Sequence, residues 1–294
     1  MQGLKSFAQY LFGSLGFGGV YALAALGLVL IFKTSGVVNF AFGALATLVT
    51  LILWSSLNDA GLPLGVAWLL AVVAALAIGA VCEIFLLERI RRAPIMIQIV
   101  VTLGLLLFVQ GVAGVIWGYT PKGVPTAFGT RSVGGGGFYI QRNDIFIVAL
   151  TVVVGLLMYV LFERTRAGLA MRAVATDREV ASMMGVPVRR YVIASWSVGV
   201  MITSLAAILV APTLSLTPIM MDNVAVFAFA AAVLGGFGSL LGAVVGGFVI
   251  GAVSNLIAAY LSTNYQLTLI FALIVVALYL RPSGMFGRAE VSRL

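Results

Sequence analysis

Residues 64–92 read LGVAWLLAVVAALAIGAVCEIFLLERIRR. The first part, 64–87, holds a single charged side chain, Glu83. Wound as a helix it would rise about 36 Å, enough to cross the ~30 Å hydrocarbon core of a bilayer. The run stops on Glu88-Arg89-Ile90-Arg91-Arg92. Short basic loops stay on the cytoplasmic side of a membrane. A spanning run closed by an arginine loop defines the fold class, an all-α polytopic membrane protein.

The same reading extends in both directions. Further apolar runs occupy 7–32, 38–57, 95–118, 144–162, 191–211, 223–238, 240–261 and 265–280. Of 294 residues, 62% are hydrophobic and 9% charged, with mean hydropathy +1.18. A soluble domain carries about 25% charged residues, so this chain cannot cover a water-facing surface. Arg164, Arg166, Arg172, Arg178, Arg189 and Arg190 crowd a second loop, and Arg281, Arg288 and Arg293 mark the tail. All three basic regions are expected in the cytoplasm. An odd number of crossings must then follow the 191–211 run. The 223–238 run is short enough to be a half-helix that turns back. The expectation is about eight to ten transmembrane segments, some broken or re-entrant, with the N-terminus outside. The whole chain, 1–294, reads as one membrane unit with a cytoplasmic loop at about 163–190 and an external loop at about 119–143. The external loop contains the flexible run Gly134-Gly135-Gly136-Gly137.

Composition excludes several functions. The net charge of +8 sits in short inter-span loops, and no basic block offers a nucleic-acid site. There is no histidine, and the single Cys82 lies in an apolar run. Histidine metal ligands, histidine proton relays and a Ser-His-Asp set are therefore absent, as are paired catalytic carboxylates. Ion-coupled pumps need buried ionisable groups, and Glu83 is the one clear candidate, close enough to the arginine loop to pair there. No G-x-x-x-x-G-K-[ST] nucleotide motif exists: Lys5, Lys33 and Lys122 do not follow glycine. The N-terminal apolar run continues into a full span rather than a cleavable signal. These exclusions leave a passive channel, or the membrane subunit of a transporter powered by another polypeptide.

One cytoplasmic stretch is well punctuated. Thr176 and Glu179 have the spacing of a capping box, Gly185 suits a left-handed helix end, and Pro187 blocks continuation. The enclosed helix has about two turns, too few to be stable alone. Val180, Met183 and Met184 share one face. Either that adaptable methionine face docks into a partner's groove or the helix lies on the protein's own surface.

At this stretch the sequence resembles a known family. Glu179-Val180-Ala181-Ser182-Met183-Met184-Gly185 is similar to the E-x-A-x-x-x-G core of the cytoplasmic loop of ABC importer permeases, although the Ile and Leu-Pro expected downstream are missing. The run from Arg172-Ala173 to Gly185-Val186 resembles the corresponding loop of branched-chain amino-acid permeases of the LivH type. Two further stretches resemble that family's signatures. One is Gly19-Val20-Tyr21-Ala22-Leu23 to Gly27-Leu28, followed by Gly36-Val37-Val38-Asn39-Phe40-Ala41-Phe42-Gly43. The other is Gly235-Gly236-Phe237-Gly238-Ser239-Leu240-Leu241-Gly242-Ala243. The motifs keep their order from about 14 to 284. Phe42 departs from the pattern, replacing the family's usual histidine.

The resemblance implies the ABC importer permease fold in a multi-pass protein of a bacterial or archaeal plasma (inner) membrane. It implies a permease subunit translocating branched-chain or other hydrophobic amino acids delivered by an external binding protein. Expected partners are two ABC ATPase subunits, a second homologous permease (or a second copy), the binding protein and the lipid bilayer, with no nucleic acid. No cofactor is expected on this chain, since ATP and magnesium would be used by the partner subunits. Arg172, Asp177, Glu179, Val180, Met183, Met184 and Gly185 would couple it to the ATPase. Related permeases for urea or short amides share these motifs, and an autonomous small-solute channel is the alternative from another class.

Small and polar residues complete the reading. Gly238, Gly242 and Gly246, then Gly247, Gly251 and Asn255, form stripes that either pack helices closely or line a path; Gly111, Gly114 and Gly118 read the same way. Gln98, Gln110, Asn39 and Asn255 need hydrogen-bond partners if buried. Asn39 follows a helix break expected at Ser35-Gly36, and irregular backbone at membrane depth belongs beside a cavity or inside protein. Asn39, Phe40, Phe42 and Asn255 are the expected path residues. Asp222-Asn223 reads as an N-cap.

Overall fold

The computed structural model describes residues 2–124, 132–135, 138–281 and 283–287. Two helices, α1 (Gln2–Gly13) and α2 (Leu15–Ser35), form a continuous N-terminal rod, and α3 (Phe42–Asn58) follows after a gap. Next, α4 (Leu64–Val81) continues through a π-helical turn, Cys82–Leu87, into the short α5 (Glu88–Ile90). The fourth long rod is α6 (Ile95–Trp117). After it come a small hairpin, β1 (Ser132–Gly135) with β2 (Phe138–Gln141), and α7 (Arg142–Arg164). Two short helices, α8 (Arg166–Thr176) and α9 (Arg178–Met183), precede α10 (Val188–Leu214). The chain closes with α11 (Asp222–Gly235), α12 (Leu240–Tyr260) and α13 (Gln266–Leu280).

Among the described residues, seven helices are long and apolar enough to cross a membrane, including Ser6–Ser35, Leu64–Ile90 and Val188–Leu214. Two more are apolar but shorter. α3 has 17 residues and α11 has 14, rises of about 25 and 21 Å against a core of ~30 Å. The expected segments are thus all present as helices, two of them at reduced length. The expected 38–57 span begins only at Phe42, and the expected 223–238 span ends at Gly235 because Gly236 takes φ 95°.

Helix α2 is the centre of the bundle. It is apolar on every side, and residues 18–31 are all buried together as the core requires. It packs against α10, α12, α11 and α7, while α4, α6, α7 and α13 keep much of their apolar surface outward. The glycine stripes of α12 are packing features. A side chain at Gly247 or Gly251 would collide with α2 at Ala22 or Gly18, and one at Gly242 or Gly246 would strike the α11 backbone at Gly235 or Ala231. Gly238 and Gly111, expected to pack in the same manner, instead face open space.

The loop expected outside, 119–143, also departs from the flexible run read in the sequence. Gly134 and Gly135 belong to the antiparallel hairpin, paired with Tyr139 and Phe138; Gly136, Gly137 and Arg131 lie outside the described residues. Gln9 fastens α1 to the hairpin, its Nε2 donating to the Tyr139 carbonyl at 2.8 Å while its Oε1 accepts from the Tyr139 N–H at 3.1 Å. Lys122 and Leu216 exchange backbone hydrogen bonds, joining the connection after α6 to the one after α10. Arg288 and Arg293 of the tail lie outside the described residues.

Candidate functional site

The short helix α9 forms as the sequence anticipates, with a different cap. Thr176 is the last residue of α8, and its hydroxyl donates back to the Arg172 carbonyl at 3.0 Å. Asp177 is the N-cap: its Oδ1 accepts from the Glu179 and Val180 N–H groups at 2.9 and 3.0 Å. The expected Thr176–Glu179 capping box is therefore corrected to an aspartate cap, because Thr176 is still helical at the end of α8 and Asp177 is the first residue free to cap. Gly185 adopts φ 81°, and the Val186 N–H closes the helix end on the Ala181 carbonyl at 3.0 Å. Val180, Met183 and Met184 are 54%, 84% and 80% exposed, whereas Ala181 is buried against the body. Arg172 is held by Glu163 at 2.7 Å, bracing α8 against α7.

Beneath this helix lies a polar link to the membrane core. The Arg178 guanidinium donates to the Thr34 carbonyl at 2.6 Å, on the last turn of α2. That carbonyl is one of the orphan acceptors at a helix C-terminus, where cations are favoured. Burial, and after it the nearby Arg91 charge, push Arg178 below its ordinary pKa, with Glu83 opposing. Glu83 is buried on the π-helical turn and accepts from Arg91 Nη2 at 2.5 Å. π-turns inside α-helices recur at functional sites. Glu88 and Arg189 add a bridge of 2.6 Å between α5 and the start of α10. Residues 33–36 and 174–178 border a pocket of about 150 Å³ between α2 and the α8–α9 connection.

The break expected at Ser35-Gly36 is present. Gly36 takes φ 66°, its N–H closing on the Phe32 carbonyl at 2.7 Å. Residues 36–41 then run without helix before α3. Asn39 is fully buried there; its Oδ1 accepts from the Ala41 N–H at 3.0 Å, and its Nδ2 finds no partner among the described residues. Thr102 reaches the adjacent Val38 carbonyl at 3.4 Å. Since Thr102 lies seven residues into α6, the break sits about 10 Å from the cytoplasmic end of that helix.

Beside the break runs an aromatic tract. Phe40 stacks on Phe229 at 6.1 Å, Phe229 meets Phe237 at 5.5 Å, and Phe237 meets Phe32 at 4.8 Å. All four rings are half-buried. The tract therefore joins the end of α2 to the end of α11, the two places where the helices stop short.

The expected path residues separate. Asn39 and Phe40 stand together at the break, Phe42 is buried in the core, and Asn255 donates to the Tyr10 carbonyl at 2.6 Å to fasten α1. Phe42 therefore packs in the core and Asn255 fastens α1, so the structure does not bring either of them together with Asn39 and Phe40. Gln98 donates to the Ala93 carbonyl at 2.8 Å. Two residues were named from the sequence without the contacts they make. Arg178 looked like one more loop arginine. Asp222 looked like an N-cap, yet Met221 holds that position and the Asp222 carboxylate accepts from Gln110 Nε2 at 2.7 Å. The shortness of the run after it was the signal that Asp222 starts a helix of only 14 residues.

Known proteins resemble this chain in sequence and in fold. The chain is 29% identical to the high-affinity branched-chain amino acid transport system permease protein LivH of Escherichia coli (strain K12), over 98% of each chain. It is 26% identical to BraD of Pseudomonas aeruginosa over 100% of each. Its similarity to a probable LivH of Methanocaldococcus jannaschii is 25%, covering 94% of this chain and 91% of that one. The fold matches PsaBC from Streptococcus pneumoniae, solved in complex with Fab, with a TM-score of 0.52 at 14% identity over 93% and 92% of the two chains. A family model described as "Branched-chain amino acid transport system / permease component" matches residues 10–278. With that match covering most of its length, this multi-pass membrane chain belongs to the branched-chain amino acid transport permease family.

Proposed function

We propose that the chain, acting as a single permease domain, is the membrane-spanning subunit of an ATP-driven importer for branched-chain or other hydrophobic amino acids. It works in a bacterial or archaeal plasma membrane. Two ATPase subunits bind at the cytoplasmic face, a second permease (homologous or a second copy) completes the path, and an external binding protein delivers solute. ATP and magnesium belong to the ATPases. The observation that carries this reading is the methionine-faced helix α9 joined by Arg178 to the broken end of α2. A short helix with 84% and 80% exposed methionines is a poor surface for water and a good one for a groove.

The physical sequence follows from these contacts. Closure of the ATPases displaces α9, and the Arg178–Thr34 hydrogen bond carries that displacement to the Gly36 hinge. Hinges of this kind absorb large backbone changes over a few residues. Opening the break exposes the Asn39 amide, whose unpaired Nδ2 becomes a donor for the solute's carboxylate. Phe40 and Phe229 offer the apolar side chain of the solute an equally apolar surface. Neutral contacts of this type separate side chains of similar size by only ~1–3 kcal/mol, so selection falls mainly to the binding protein.

The test is uptake of radiolabelled leucine by proteoliposomes holding the assembled complex, with ATP inside. ATP-dependent uptake that requires the binding protein is the expected result. Uptake by this chain alone, without ATPases, would mean an autonomous channel.

A further inference from the structure

Asp222 is a carboxylate at membrane depth that faces outward, with no cation paired to it among the described residues. Its depth follows from two independent helices. Gln110, its hydrogen-bond partner, lies fifteen residues after Ile95 at the cytoplasmic start of α6, a rise of about 22 Å. Asp222 itself begins the 14-residue α11, about 21 Å from its far end. That far end is cytoplasmic: the Met285 and Phe286 N–H groups of the tail donate to the Leu234 and Gly235 carbonyls at 2.8 and 3.1 Å. Both estimates put the carboxylate about 8–10 Å inside the outer boundary of a ~30 Å core.

A charged side chain at such depth is costly in lipid, so ionisable groups there face a water-filled path or a protein partner. Glu83, Glu88 and Glu163 each have an arginine, and Asp177 caps α9. Asp222 has only the neutral Gln110, no Lys or Arg among the described residues pairs with it, and both it and Asn223 are exposed. From Asp222 the same face of α11 continues through Val226 to Phe229, all incompletely buried. Phe229 stacks on Phe40, next to the buried and unpartnered Asn39 amide. The tract thus begins at an acceptor carboxylate and ends at an orphaned donor.

We propose that Asp222, oriented by Gln110, receives the ammonium group of the incoming amino acid at the outer mouth of the path. The proposal rests on the amino-acid permease reading and names the part of the solute that this position recognises. The zwitterion enters ammonium-first at Asp222, slides its side chain along Phe229 and Phe40, and presents its carboxylate to Asn39 when the break opens. The hydrogen bond from Gln110 fixes one carboxylate oxygen and leaves the other for the ammonium group.

The experiment compares Asp222→Asn, Asp222→Glu and Gln110→Leu in the reconstituted complex, each checked for intact assembly and basal ATPase rate. Asp222→Asn keeps the shape and can still accept from Gln110, but removes the charge. The expected result is a fall in leucine uptake of roughly tenfold or more, the scale of a lost charged hydrogen bond. Asp222→Glu should restore most of it, and Gln110→Leu should keep more uptake than Asp222→Asn. Equal losses in Asp222→Asn and Gln110→Leu would assign the pair a structural role and overturn the proposal. Normal uptake by Asp222→Asn, beside active wild type, would overturn it alone. Wild-type vesicles that accumulate no leucine with ATP inside would overturn the permease reading and this proposal together.

Discussion

Asn39 and Arg178 carry the account at the residue scale. Asn39 spends its carbonyl oxygen on a local turn to Ala41 and keeps a buried amide donor unpaired. An unsatisfied buried donor costs ~1–3 kcal/mol, so its retention needs a use. Asn39→Leu should leave assembly intact, tolerate heat at least as well as wild type, and lower leucine uptake; uptake at the wild-type rate would remove Asn39 from the path. Arg178 occupies the other end of the same argument. Arg178→Met keeps the apolar stem but loses the hydrogen bond to Thr34, and should leave ATP hydrolysis running while uptake falls severalfold. Equal falls in hydrolysis and uptake would mean that Arg178 holds the fold rather than transmitting movement.

The element scale turns on α9 and on helices that end early. Because Asp177 is the cap, Asp177→Ala should cost the helix ~1 kcal/mol and weaken co-purification with the ATPase, whereas Glu179→Ala should do neither through capping. Gly185→Pro, at φ 81°, should abolish both co-purification and uptake while the protein still inserts. Retention of ATPase binding by Gly185→Pro would contradict the docking role of this helix. Much of this element was legible from residues 176–187, because capping, glycine ends and proline stops are local chemistry. The cap slipped by one residue because both Thr176 and Asp177 are competent caps, and only the length of α8 decides between them. The break at Gly36 was equally legible. The roles of Phe42 and Asn255 were not, since a polar or aromatic residue in a span gives no sign of which neighbours it meets. The N-cap reading of Asp222 missed for a related reason: its carboxylate is taken by Gln110 of α6, and Met221 holds the cap position.

Across the whole molecule, the arginine loops predict the sidedness of the chain, with α9 inside and the hairpin outside. In a Cys82→Ser background, cysteine at Gly135 should react with an impermeant thiol reagent in intact cells, and cysteine at Ser182 only after permeabilisation. Reversed labelling would put α9 outside, where no ATPase could reach it. The central claim is that ATP-driven motion of α9 opens a path through a bundle with no ion-coupling machinery of its own. Its most direct test is leucine uptake by proteoliposomes containing the assembled complex, measured with internal ATP and, separately, with only a pH gradient applied in either direction. The account predicts uphill uptake with ATP at every gradient and none with a gradient alone. Uphill uptake driven by the gradient in the absence of ATP would contradict it.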